Sequence, residues 1–261
     1  MKRIIKTSFF FYAVIALVQL TSCASNTNEK SNNQSQPDSS RSATGVYINN
    51  AILQGSDTTI LDSVPRYCVE IHFISPDSLE IGDGFEDPEM LYYKKEGDRY
   101  CIPHACALGD MFFTLTHDNT LMLEDSAWNH ITSNSEFKKV PENKAHQWLF
   151  DYYLNDKMIA GSYFIYSNDK ATQQKVTFTT DGQVTGLGKY ATYELCYAGD
   201  CANWTLTPAN IIGFKSNNGS STGYAFKIDK KNKKLTMYSI ATPKKDEEGG
   251  AIMGLAFDLR Q

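Results

Sequence analysis

A pattern of short segments that occurs twice, in the same order, is the strongest constraint on how this chain folds. Each copy has a Gly-x-Tyr opening, an apolar segment, a Cys-x4-Cys segment and an x-Thr-Leu-Thr segment. The paired segments are, first copy before second, Gly45-Val46-Tyr47 and Gly161-Ser162-Tyr163; Val69-Glu70-Ile71-His72-Phe73 and Lys175-Val176-Thr177-Phe178; residues 101–106 and 196–201; and Phe113-Thr114-Leu115-Thr116 and Trp204-Thr205-Leu206-Thr207. Chance produces single similarities of this kind. Four pairs of similar segments in the same order predict two copies of one β module, with an insertion near residues 56–66 of the first copy.

Apolar residues within each copy alternate with polar ones. Three of the apolar faces consist of Val69, Ile71 and Phe73; of Tyr224, Phe226 and Ile228; and of Met253, Leu255, Phe257 and Leu259. A period of two with one apolar face is typical of half-buried antiparallel strands, and turn-forming residues separate the segments. We therefore expect a mainly β fold of two tandem antiparallel barrel or meander modules, residues 44–140 and 141–261.

One connecting α-helix is expected at the start of the second module. Pro141 and Glu142 open it, and its core covers residues 143–154. Its apolar stripe, at helical spacing, consists of Ala145, Trp148, Leu149 and Tyr152. We expect this stripe to cover the mouth or base of the second barrel, with a contact to a ligand as the alternative.

The Gly-x-Tyr opening, the meander of short strands and the Phe-Thr-Leu-Thr segment before a turn resemble small calycin-type, lipocalin-like lipoprotein domains of Bacteroidetes. The resemblance covers most of residues 44–261 and implies that each module is a lipocalin-like β-barrel. Tyr47 and Tyr163 stand where true lipocalins carry a tryptophan.

The first residues have the layout of an export signal. Lys2, Arg3 and Lys6 form a cationic start, and the apolar run at residues 9–18 is too short to span a bilayer. The run is followed by Leu20-Thr21-Ser22-Cys23, which resembles the lipobox of bacterial lipoproteins.

That resemblance implies removal of residues 1–22 and lipidation of Cys23. The residues that follow, 23–43, are rich in Ser, Asn and Gln and are expected to form a flexible tether. We therefore expect a protein of the cell envelope that is held by its N-terminal lipid, at the outer membrane, with the periplasmic or surface face undecided.

The charge of the chain disfavours nucleic acid as a partner. Removal of the signal removes three basic residues and no acidic one, which changes the formal net charge from −5 to −8. Polyanions are repelled by such a chain. The partners that remain are the membrane, through the lipid, and an unknown small molecule or protein.

The five cysteines after Cys23 are expected to be mostly oxidised, because the compartment beyond the inner membrane is oxidising. Each Cys-x4-Cys segment is flanked by strand patterns, and two strand ends joined by four residues suit a disulfide. We predict the disulfides Cys101–Cys106 and Cys196–Cys201. Cys68 is left over, and its apolar surroundings predict a buried, inert thiol.

A metal or redox role is the alternative for the first of these segments. Cys101, His104 and Cys106 offer soft sulfur and imidazole ligands for copper or zinc. In outline this is similar to the envelope copper-response lipoproteins of the NlpE type, which carry a cysteine pair on a lipidated barrel, although with Cys-x2-Cys spacing.

The sequence contains none of the catalytic or phosphate-binding motifs that carry a physical mechanism, and we expect no enzyme activity and no cofactor. The expected function is a binding or interaction module for a small apolar ligand or a protein partner. The candidate contact residues are Tyr92, Tyr93, Trp148, Tyr152 and Tyr153. An envelope stress sensor and a structural subunit of an outer-membrane complex are the alternatives.

Overall fold

The computed structural model describes residues 42–261, apart from residues 56–58, 65–66, 85–86, 107–108, 125–135, 144, 147, 198–202 and 244–248. The predicted signal, Cys23 and most of the predicted tether therefore lie outside the described residues. The prediction places the end of the tether slightly too late, because Ala43 is already buried and its N–H donates to the Tyr100 hydroxyl at 2.6 Å.

The first half of the fold is a nine-stranded antiparallel sheet. Its strands are β1 (Gly45–Asn49), β2 (Glu70–Phe73), β3 (Ser78–Gly82), β4 (Glu89–Tyr92), β5 (Lys94–Glu96), β6 (Arg99–Cys106), β7 (Gly109–Leu115), β8 (Thr120–Glu124) and β9 (Glu136–Val140). The order β4-β3-β2-β1-β9-β8-β7-β6-β5 is an up-and-down meander in which β1 pairs with both β2 and β9. A short helix, α1 (Asn50–Leu53), and a 3-10 turn (Leu61–Ser63) lie between β1 and β2.

The second half is an eight-stranded antiparallel sheet that follows the helix α2 (Phe150–Met158). Its strands are β10 (Gly161–Ser167), β11 (Lys170–Phe178), β12 (Val184–Thr185), β13 (Tyr190–Cys196), β14 (Asn210–Ser216), β15 (Ser221–Asp229), β16 (Lys234–Ile240) and β17 (Ile252–Arg260). The order β12-β11-β10-β17-β16-β15-β14-β13 again pairs the first strand with the second and the last. An isolated bridge between Gln183 and Thr192 brings the edges together, so this sheet is nearly a closed barrel.

The predicted repeat is visible in the register of the first two strands of each sheet. Gly45 pairs with Phe73 as Gly161 pairs with Phe178, and each glycine has a positive φ that disfavours a side chain. Two residues further on, Tyr47 and Tyr163 are both buried. Each packs edge-to-face on the phenylalanine of its own module, with ring centroids 5.6 and 5.8 Å apart. The prediction of a mainly β chain with two tandem antiparallel meanders and a helix between them is confirmed.

The prediction that the fourth pair of segments occupies equivalent strands is wrong. Phe113-Thr114-Leu115 lies in β7, whereas the segment that starts at Trp204 lies outside the named strands and has a single bridge, from Thr205 to Gly250. By its place in the meander, β15 is the counterpart of β7, because each is the third strand from the C-terminal end of its module. The two segments share a residue pattern, but the longer β13–β14 connection places the second copy in a loop.

Aromatic rings fill the interior of the first sheet. Phe73, Tyr93 and Tyr100 pack edge-to-face, with ring centroids 5.4 Å apart, and Phe113 and Phe137 pack at 6.0 Å. These side chains are buried, and they belong to one apolar cluster with Tyr47 and Ile71. Burial, together with the neighbouring phenol of Tyr100, raises the pKa of Tyr47 to about 12.

The second sheet is filled in the same way, and its core also includes residues from the first half of the chain. Phe178 packs on Tyr163, Tyr193 and Phe214. The same apolar cluster contains the buried side chains Val46, Ile48, Ile52, Leu61 and Val69. The two sheets are therefore joined by a common core.

The connecting helix begins later than predicted. The sequence predicts its core over residues 143–154, but α2 covers Phe150–Met158, and Ala145 of the predicted stripe is exposed. The reason is Glu70 on β2, whose buried carboxylate accepts the N–H of Leu149 at 2.9 Å and that of Phe150 at 2.7 Å. The first amides of a helix have no partner within it, and a negative charge there also favours the helix dipole, so this carboxylate determines where α2 starts.

Neither described helix combines the length and the apolar character needed to cross a bilayer. The second sheet carries ion pairs on its strands β16 and β17 and at the turn between β10 and β11. The most buried of the carboxylates in these pairs is Asp258 on β17, which lies 2.7 Å from Arg260 and 3.1 Å from Lys234.

Acid is expected to weaken the fold through Asp258. Hydrogen bonds from Arg260 and then from Lys234 outweigh desolvation and hold the pKa of Asp258 below its usual value of about 3.9. A carboxyl whose pKa is lower in the folded state stabilises above the unfolded pKa, and this contribution is lost as the pH falls through the folded pKa. Urea unfolding should therefore show Asp258→Asn less stable than wild type at pH 7, with the difference shrinking below about pH 4. A pH-independent difference would contradict this assignment.

Candidate interaction site

The segment that joins β9 to α2 crosses the outer face of the first sheet. Trp148 packs on His72 of β2, with ring centroids 4.4 Å apart. It also lies against Gly82 of β3, where a Cβ atom would come to 3.0 Å from the indole ring. Because the next residue, Leu149, is buried and held by Glu70, the indole is fixed at a defined place.

Three cavities lie along this segment. The His72 cavity, of about 320 Å³, is bordered by His72, Phe73, His146 and Leu149. The Tyr152 cavity, of about 260 Å³, is bordered by Trp148, Asp151, Tyr152, Asp181 and Glu194. The Tyr197 cavity, of about 350 Å³, is bordered by Glu70, Asp87, Trp148, Asp151 and Tyr197. Trp148 and Asp151 border both of the last two cavities.

Asp151 stands in a negative environment. Desolvation of its carboxyl group raises its pKa, and the charges of Glu194 and Glu70 add to this, although the hydroxyl of Tyr197 donates a hydrogen bond to it. His146 lies 3.0 Å from Asp181. The two cavities bordered by Asp151 are therefore suited to a group of positive charge.

A second surface feature lies on the outer face of the second sheet. Trp204 packs over Gly223, where a Cβ atom would overlap the indole ring at 1.8 Å, and both border a cavity of about 480 Å³ with Ile240. Next to it are four exposed apolar side chains, Leu206, Ile252, Met253 and Leu255. We call these five apolar residues, Trp204 included, the outer apolar surface.

The exposure of this surface departs from the predicted pattern. The alternation predicts that Met253, Leu255, Phe257 and Leu259 share a half-buried face. Leu259 is buried, whereas Met253 is 56% exposed and Leu255 is 60% exposed. The cause is a pair of register shifts, because Phe257 pairs with Met237 but Leu255 pairs with Tyr238, and a second shift follows before Ile252. A bulge of this kind reverses the face on which the following side chains lie.

No protein-family model matches the chain, and no match was found among curated proteins or solved structures.

Of the five predicted contact residues, three lie together at the connecting segment, one is exposed on β4 and one is buried in a core. Trp148 and Tyr152 border the Tyr152 cavity, and Tyr153 packs on Tyr152 with ring centroids 5.5 Å apart. Tyr92 is on β4 and is 71% exposed. The prediction of Tyr93 as an exposed contact is wrong. Its side chain is 5% exposed, its ring packs in the core of the first sheet, and its hydroxyl donates to the Ser75 carbonyl at 3.1 Å.

The predicted disulfide Cys101–Cys106 is wrong, because the thiol of Cys101 is free. Both cysteines lie in one strand, β6, instead of at the ends of two strands joined by a loop. In the second module Cys196 ends β13 and is disulfide-bonded, whereas Cys201 lies outside the described residues, so the pairing of these two stays a prediction.

Cys68 is a buried free thiol, as predicted, and burial raises its pKa. The alternative metal site is not assembled in the described part of the chain, where no three His, Cys, Asp or Glu side chains are grouped around a common point. His104 is exposed, with a positive φ and its N–H donating to Asp110, and Cys101 is buried behind it. The side chain of Cys106 lies outside the described residues.

Proposed function

We propose that this protein is a non-enzymatic interaction module of the cell envelope that binds a protein partner through the outer apolar surface. The observation that carries the proposal is that apolar side chains fill both sheets while others are exposed together on one outer face. The proposal includes the lipid at Cys23 as the link to the membrane.

The packing of the two sheets favours a protein partner over a small apolar ligand inside a barrel. In lipocalin-type binding the ligand occupies the space between the sheet walls. In this chain that space contains interlocking rings, such as Tyr100 with Phe73 and Phe178 with Tyr193. The cavities described above lie along the outside of the sheets, so binding is expected on an outer surface.

The outer apolar surface has the character of a protein contact. Leu206, Met253 and Leu255 are each more than half exposed. Leu206 lies beside the start of β17, the strand that carries Met253 and Leu255, since its N–H donates to the Gly250 carbonyl at 3.0 Å and β17 begins two residues later at Ile252. Scattered apolar side chains are ordinary on a protein surface, but a contiguous group marks an interaction site.

The chemistry of Cys101 supports this function over a metal or redox sensor. Metal binding and thiol exchange need the thiolate. Burial, and then the negative charges of Asp110 and Glu96, raise the pKa of the Cys101 thiol and so disfavour that form.

Site-specific photo-crosslinking in intact cells tests the proposal. A benzoyl-phenylalanine placed at Leu255 is expected to crosslink to a defined protein, whereas the same group at Ile74, an exposed position on the first half of the chain, is not. Replacing Leu206 and Met253 by serine should weaken that contact by about tenfold or more, since burial of one such apolar side chain contributes about 1.5–3 kcal/mol. Equal crosslinking at both positions, or crosslinks to lipid alone from Leu255, would overturn the proposal.

A further inference from the structure

We infer that the Tyr152 and Tyr197 cavities, which share Trp148 and Asp151, form a second binding site that takes an ammonium or guanidinium group carried on an apolar stem. Such a group is supplied by a lysine or arginine side chain of a protein or by a free organic amine. The site is separate from the outer apolar surface and does not depend on the function proposed for it.

The shape of the site comes from a fixed indole. Trp148 is held by its contacts with His72 and Gly82, and the neighbouring backbone amides are capped by Glu70. The two cavities that Trp148 borders measure about 260 and 350 Å³, which is enough for a side chain of lysine size in each. A pre-formed cavity of this kind avoids the cost of ordering the site when a ligand binds.

The negative charge of the site favours a positively charged ligand. Its described lining residues contain no lysine or arginine, and they contain five carboxylates, namely Glu70, Asp87, Asp151, Asp181 and Glu194. Glu70 is engaged by backbone amides and Asp181 by His146. Asp87 and Glu194 are exposed and remain to face a ligand, and Asp151, also exposed, has a second carboxylate oxygen besides the one that accepts from Tyr197. Carboxylates that crowd one cavity repel each other, and a bound cation relieves that repulsion.

The aromatic side chains of the two cavities favour a ligand whose charged group is carried on an apolar stem. Trp148 and Tyr152 border one cavity, and Trp148, Phe150 and Tyr197 border the other. A cation held near the face of an indole gains energy from the ring quadrupole, and the methylenes of a lysine or arginine pack along such rings. A metal ion lacks the apolar stem and would leave this lining unused.

Calorimetric titration with a capped pentalysine peptide tests the inference. Wild type should bind it saturably at low ionic strength, and the same peptide with acetylated lysines should bind at least about tenfold more weakly, because acetylation removes the charge. Asp151→Asn should lower the affinity for pentalysine by about tenfold, the loss expected for a charged hydrogen bond. Asp156→Asn, an exposed position on the same helix, should change it less than about twofold.

Further measurements make the test decisive. The indole N–H resonance of Trp148, assigned with Trp148→Phe, should shift on titration with pentalysine. Should Asp151→Asn alter the circular dichroism spectrum, Glu194→Gln takes its place with the same expected loss. Titration with spermidine identifies the source of the cation, since binding at least as tight as that of pentalysine points to free amines and weaker binding points to a protein side chain.

Three results would overturn the inference. These are equal binding of the acetylated peptide, equal weakening by Asp151→Asn and Asp156→Asn, and an unmoved Trp148 resonance. Any of them would assign the binding to the overall negative charge of the chain. The crosslinking at Leu255 is measured separately, so failure here leaves the proposed partner surface unaffected.

Discussion

Replacing Glu70 by alanine is expected to lower the free energy of unfolding by about 3–5 kcal/mol, the range found when one partner of a buried charged interaction is removed. The Glu70 carboxylate is fully buried and accepts two backbone N–H groups, from Leu149 and Phe150. Without it these two amides lose their partner at the start of α2, away from water. Each buried donor left unpaired costs about 1–3 kcal/mol, and the favourable interaction with the helix dipole is also lost.

Urea unfolding followed by circular dichroism measures this effect. Glu70→Gln should fall between wild type and alanine, because its amide oxygen still accepts a hydrogen bond while the charge is gone. Glu89→Ala, on the exposed strand β4, is the matched control and should change stability by less than about 0.5 kcal/mol. If Glu70→Ala were as mild as Glu89→Ala, the carboxylate would not determine the start of the helix.

A fragment of residues 141–261 is expected not to fold, although it contains the whole second sheet. It lacks Val46, Ile48, Ile52, Leu61 and Val69, which are buried in the same apolar cluster as the core of the second sheet. Burial of one such side chain stabilises by about 1.5–3 kcal/mol, so their combined loss is comparable with the whole stability of a domain, about 5–15 kcal/mol. Asn210 of the fragment also loses its partners, the N–H of Leu61 and the carbonyl of Thr59, each at 2.8 Å.

Near-UV circular dichroism and urea unfolding test this expectation. Residues 42–261 should unfold in one cooperative transition, and the fragment should show no dispersed aromatic signal. The matched control is a chain of residues 42–261 in which Asn210 alone is replaced by alanine, which should fold with reduced stability. A fragment with its own sharp transition, or two separate transitions in the longer chain, would mean that the two sheets are independent domains.

Much of the architecture was predictable because strand periodicity is a local property. Alternating residues such as Val176 and Phe178 place their side chains on one face wherever the strand lies, and the repeated Gly-x-Tyr opening gave equivalent registers to β1 and β10. The buried tyrosines at positions 47 and 163 follow from the same pattern.

The candidate sites were only partly predictable. Trp148 and Tyr152 were expected in a stripe that covers a barrel, with a ligand contact as the alternative, and they border a cavity on the outer face. The outer apolar surface was missed, since an apolar alternation in β17 has the same appearance whether or not a bulge interrupts it. The cysteine pair in β6 was misplaced because spacing alone does not distinguish a loop between strands from an irregular stretch within one strand.

The sequence by itself determined the class of fold and the number of β modules, because strand periodicity and the repeated segments are properties of the residue order along the chain. Only the tertiary structure decided where α2 begins, which thiols are unpaired and which apolar residues face solvent. These features depend on contacts between residues that are distant in sequence, such as Glu70 and Leu149, 79 positions apart. The energy of such a contact is set by its burial and by the geometry of its partners.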